Sequence, residues 1–163
     1  MKKRVCVALL LMSELLFASS RIRLNPVLKQ ALASVLEAAT QLQEALHDGE
    51  KEKVEERFDV LIQEVEFAKD KTGLSPDIQP HLDRILNAAK IALDVGRREK
   101  GKKRVFYLKK AYKNIVQLRQ VYRVGKQRVF FCPKDKAVWV QKGWRPKNPF
   151  HPRQYGSCGK VIQ

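Results

Sequence analysis

The chain has 163 residues, with 33 Lys/Arg against 17 Asp/Glu and a formal net charge of +16. That length accommodates one domain around one hydrophobic core. Beyond the first 20 residues no long apolar segment, internal repeat or low-complexity linker occurs, so no membrane span and no second domain are expected.

The N-terminus reads Met1-Lys2-Lys3-Arg4, then an apolar run from Val5 to Leu11 and a second from Leu15 to Ala18. A positive start, a short apolar centre and small residues at Ala18-Ser19-Ser20 predict a secretory signal peptide over residues 1–20. Glu14 interrupts the apolar run, which is too short to span a bilayer. Cys6 precedes the apolar centre, whereas a lipoprotein cysteine would follow it. The expected location is the periplasm.

Four amphipathic helices follow over residues 21–124. The first opens at Asn25-Pro26, a cap followed by a proline in the first turn. Leu28, Leu32, Val35, Ala39, Leu42 and Leu46 then recur at helical spacing, and His47-Asp48-Gly49 closes the run. The second extends from about Glu50 to Lys71, with Val54, Phe58, Leu61, Ile62 and Val65 on one face. Its acids Glu52, Glu55, Glu56 and Asp59 read as a solvated face. Ser75-Pro76 predicts the start of the third, whose stripe is Ile78, Leu82, Ile85, Leu86, Ala89 and Leu93, ending at Gly96. Pro80 falls near that start, where a proline is tolerated. The fourth spans about Arg98 to Val124 on Val105, Leu108, Tyr112, Ile115, Leu118 and Tyr122. Four such stripes joined by short links predict an all-α fold, an antiparallel four-helix bundle with one shared core.

The pattern changes at Gly125. Arg128 to Phe131 and Ala137 to Gln141 read as short extended segments around a turn at Cys132-Pro133-Lys134-Asp135-Lys136. Pro146, Pro149 and Pro152 alternate with Gly143, Gly156 and Gly159. Residues 125–163 therefore read as an irregular, short-β cap on the bundle, anchored by Trp139, Trp144, Phe150 and Tyr155.

Charge is unevenly shared. Residues 21–96 hold 10 Lys/Arg against 14 Asp/Glu, and residues 97–163 hold 20 against 2. Lys102, Lys103, Lys109, Lys110, Lys113, Arg119 and Arg123 run along the fourth helix as a candidate anion-binding face, continued by bases of the cap. In the cytosol the first partner would be nucleic acid, but no recognised nucleic-acid module accompanies the bases. Outside the inner membrane the candidates are an anionic lipid, an acidic polysaccharide or an acidic protein. A merely solvated basic face is the structural alternative.

The cap also carries a spaced set of elements: Cys132-Pro133-Lys134, Trp139-Val140, Asn148-Pro149-Phe150 and Ser157-Cys158-Gly159, preceded by Arg104, Phe106 and Leu108 in the fourth helix. Together they resemble the C-terminal signature of a small helical domain of exported bacterial proteins. That domain occurs alone or attached to periplasmic adaptor subunits of copper, silver and other heavy-metal efflux systems. The resemblance implies a periplasmic location, an efflux component or other envelope protein as partner, and a link to heavy-metal homeostasis. Two methionines of that signature are missing: Lys134 stands at one position, and Tyr155-Gly156-Ser157 precede the last cysteine. Thioethers select Cu(I), and a protonated lysine repels it, so a methionine-based copper site is not expected.

Cys132 and Cys158 then have two readings. In an oxidising compartment they form a disulfide, whose closed loop contributes about 3 kcal/mol on the loop-entropy view. Alternatively Cys132, His151 and Cys158 supply two thiolates and one imidazole to Cu(I) or Zn(II). His47 and His81 read as surface residues. No Ser-His-Asp set, paired-carboxylate signature or glycine-rich phosphate loop is present, so a non-enzymatic binding or accessory role is expected. A Cys158–His151 nucleophile pair lacks a recognised third group.

Overall fold

The computed structural model describes residues 22–71 and 73–163. The expected signal peptide, residues 1–20, lies outside the described residues. Helix α1 runs over Pro26–Asp48. Asn25 Oδ1 accepts from Leu28 N at 2.7 Å, and Pro26 needs no partner at the helix start. Gly49 ends the helix with φ 76°, and its N–H returns to the Ala45 carbonyl. Only Gly49 and Glu50 separate it from α2, Lys51–Lys69, so α2 folds back along α1.

Helix α3 is Gln79–Arg98. It starts later than Ser75-Pro76 suggested, and Pro80 is the reason. A helix begun at Pro76 would carry Pro80 past its first turn, where the ring meets the preceding carbonyl. Residues 76–78 form a turn instead, in which the Ser75 carbonyl accepts from both Ile78 and Gln79 N–H. Glu99 and Lys100 link α3 to α4, Gly101–Tyr122. Arg104 fastens this corner: Nε donates to the Gly96 and Glu99 carbonyls, and Nη2 to that of Arg97. These are the carbonyls that a helix end leaves unpaired.

Each helix packs on its chain neighbours, and α4 returns to α1. Leu28, Leu32, Leu36, Leu42, Phe58, Leu61, Leu82, Leu86, Leu93 and Tyr112 are fully buried between them. Each such aliphatic side chain contributes roughly 1.5–3 kcal/mol over its exposed state. Of the acids of α2 read as a solvated face, Glu52, Glu56 and Asp59 are exposed and Glu55 is half-buried. Glu55 and Asp59 grip Arg97, and Glu55 also takes Arg104 at 2.6 Å. Among the described residues no helix is long and apolar enough to cross a membrane.

The cap is a three-stranded antiparallel sheet of order β2-β1-β3, with a one-turn helix. Strand β1 (Arg128–Cys132) pairs with β2 (Ala137–Gln141) from Arg128↔Gln141 to Cys132↔Ala137. Helix α5 is Pro152–Tyr155, and β3 is Lys160–Val161 on the outer edge of β1. Strand β2 lies against α4 and α1. The fold is thus predominantly helical with a short C-terminal antiparallel sheet.

Candidate functional site

Cys132 ends β1 fully buried, and Cys158 returns to it after α5. The two form a disulfide with Cα atoms 5.4 Å apart, 26 residues apart in sequence. Asp135, in the hairpin turn, lies beside this bridge. Its N–H donates to Cys132 Sγ at 3.2 Å, and its side chain is only 3% exposed. Lys109 of α4 donates to one carboxylate oxygen and, at 2.8 Å, to the Asp135 carbonyl. Asn148 Nδ2 donates to the other oxygen at 2.9 Å. His151 Nδ1 lies 2.8 Å from the first. An ionised carboxylate only accepts, so that ring nitrogen carries the proton. Burial works against ionisation of Asp135, but the bonds from Lys109 and Asn148, with the charges of Lys109 and His151, outweigh it and hold the carboxyl below its ordinary value.

This polar hub continues into the bundle. Asn148 Oδ1 accepts from Phe150 N, and its own N–H goes to the Gly156 carbonyl. Gln43 of α1 donates to the Lys147 carbonyl at 2.7 Å, and His47 Nδ1 lies 3.2 Å from that of Asn148. His81 likewise meets the Tyr122 hydroxyl at 3.0 Å, so both surface-read histidines have partners. Trp139 stacks on Phe130 and donates from Nε1 to Gln141 Oε1 at 2.8 Å. Gly159 passes so close that a Cβ there would sit 2.8 Å from the Trp139 ring, which leaves room for glycine alone.

Several expected roles change. In the bridged state neither sulfur is a thiolate, and His151 is turned to Asp135. In that state Cys132, His151 and Cys158 are not arranged as ligands for Cu(I) or Zn(II). Among the described residues no group of three or more His, Cys, Asp or Glu is placed to hold a metal. Lys109 does not offer its charge to solvent, because Asp135 takes it. Arg119 spends its Nε on the Gln127 carbonyl at 3.0 Å. Lys102, Lys103, Lys110, Lys113 and Arg123 are exposed, and Lys110 also lies 4.4 Å from the Phe106 ring centroid.

Of the four expected anchors, Trp139 and Phe150 are buried and Tyr155 is half-buried against the core. Trp144 is not an anchor. It is 71% exposed, in the loop after β2, with the Arg128 guanidinium 3.6 Å from its ring centroid. Gly143, at φ 81°, shapes that turn, and Trp139 rather than Trp144 is the tryptophan in the core.

The hydrogen-bonding roles of Asp135, Asn148, Gln141 and Gln43 escaped the sequence reading. One signal was available for Asp135: it is the single carboxylate side chain among 18 Lys/Arg in residues 100–163. Between α1 and the start of the cap an open groove of about 340 Å³ is lined by Gln30, Ala33, Ser34, Glu37, Gly125, Lys126, Gln127 and Lys142. Glu37 in its wall is held by Lys142 at 2.5 Å and Gln127 at 3.1 Å. Comparison with family models, curated proteins and solved structures returns no match to this chain.

Proposed function

We infer that the chain is an exported, non-enzymatic accessory protein of the cell envelope that meets an anionic partner through the outward bases of α4 and the cap. One observation carries this reading. In residues 100–163 the lone acidic side chain, Asp135, is buried and neutralised by Lys109, so outward-facing side chains there are positively charged without a compensating carboxylate of their own segment. Attraction to a polyanion is then long-range and salt-dependent. The Cys132–Cys158 bridge supports an oxidising compartment. The resemblance of the cap signature to domains of heavy-metal efflux adaptors suggests an efflux component as the acidic protein partner. The bridged cysteines give a metal no thiolate.

The test compares two quadruple variants of equal net charge. Lys102, Lys103, Lys110 and Lys113 are changed to Gln in one, and Lys29, Lys51, Lys69 and Lys71 in the other. Retention on a sulfated polysaccharide at rising salt should fall for the first and hardly change for the second. Equal losses would reduce the effect to net charge and remove the site. Recovery of the wild-type protein from the cytosol with two free thiols would remove the export.

A further inference from the structure

We propose that the Trp144 end of the cap is a lipid-contacting edge that seats the protein on an anionic bilayer surface. The inference rests on the basic-surface reading and names its partner. Trp144 is 71% exposed yet held in place, because Arg128 is fixed in β1 and its guanidinium covers one part of the indole at 3.6 Å from the centroid. Lys142, Arg145 and Lys147 belong to the same loop and are all exposed. Strand β3 lies on the other side of β1 from β2 and the Trp144 loop, and its end reaches Arg128, because the Gln163 carbonyl accepts from Val129 N. Val161, paired with Phe130, shares the sheet face of Arg128 and is 37% exposed.

The combination decides between partners. A soluble acidic polymer uses the bases and has no use for exposed Val161. A bilayer surface uses both, taking bases at the phosphates and apolar side chains just beneath. An indole suits that boundary, with an apolar ring and a polar N–H. Two carboxylates act on Lys142: Glu37, which is engaged by Lys142 and Gln127, and Glu44, which acts on it by charge alone.

The two tryptophans make the test site-specific. Trp139 is fully buried and Trp144 is exposed, so a change in emission on binding reports Trp144. The full chain is mixed with vesicles of phosphatidylglycerol or phosphatidylcholine carrying brominated acyl chains. Phosphatidylglycerol should shift Trp144 emission to the blue and quench it, and phosphatidylcholine should do neither. Trp144→Phe should leave only unquenched Trp139 emission. Trp144→Ala should weaken binding about tenfold, and neutralising Arg145 and Lys147 together about thirtyfold. Binding to phosphatidylglycerol with Trp144 emission unmoved would overturn the lipid edge and leave the basic-surface reading intact. A Trp144 response to sulfated polysaccharide but not to lipid would also overturn it. Failure to bind either polyanion would remove the basic-surface reading itself.

Discussion

The bundle and the cap solve the same stability problem in different ways. The bundle closes on apolar area, with apolar stripes on four helices. The cap has two five-residue strands, a two-residue strand and one helical turn, too little regular structure to bury a core of its own. A covalent bridge, one buried tryptophan and a carboxylate hub hold it instead, and the hub reaches into α4 through Lys109. Losses in the bundle should therefore scale with volume removed. Losses in the cap should scale with connections cut.

The largest effect is expected in the bundle. Phe58→Ala should cost about 3–5 kcal/mol, because the ring is fully buried beneath Gly96 and Arg104. Urea unfolding followed by far-ultraviolet circular dichroism measures it. Cys132→Ser with Cys158→Ser should cost about 3 kcal/mol. Its signature differs: limited proteolysis should cut first within residues 133–163 while helicity persists. Retention of a protease-resistant cap would mean that the hub suffices without the bridge.

Asp135→Asn should cost about 2 kcal/mol, since Lys109 then keeps a half-buried charge without its partner. The same carboxyl gives a pH dependence of known sign. Its folded-state value is depressed, so its contribution is complete above about pH 4, the ordinary carboxylate range, and is lost as pH falls through the lower folded value. The acid-induced fall in denaturation midpoint should be shallower in Asp135→Asn than in wild type; equal slopes would assign it to other carboxylates. The smallest effect should be a gain. Lys136 occupies φ 49° at the end of the hairpin turn, so Lys136→Gly should stabilise the cap by up to about 1 kcal/mol. Thermal unfolding monitored by Trp139 fluorescence reads that change.

The four helices were legible because their stripes repeat at helical spacing over five or six turns, and Asn25-Pro26 and Gly49 mark the ends of α1 locally. The third helix was placed too early, because Ser75-Pro76 carries a start signal that Pro80 overrides. In the cap, both main strands and their turn were legible from β-branched and aromatic runs around Cys132-Pro133. Helix α5 and strand β3 were missed, since four and two residues give no period. Trp144 was misplaced for a related reason: composition cannot tell which tryptophan fills the core and which remains outside.

The sequence by itself determined the helical bundle, the change of structure at Gly125 and the strong positive charge after residue 96, because each is a property of neighbours along the chain. Tertiary structure alone decided that Asp135 gathers Lys109, Asn148 and His151, that the charge of Lys109 is turned to Asp135, and that Arg128 lies over the outward Trp144 ring. Those outcomes depend on side chains 13 to 26 positions apart meeting in space. No local pattern encodes such meetings, and only the packing of the cap on α1 and α4 brings them about.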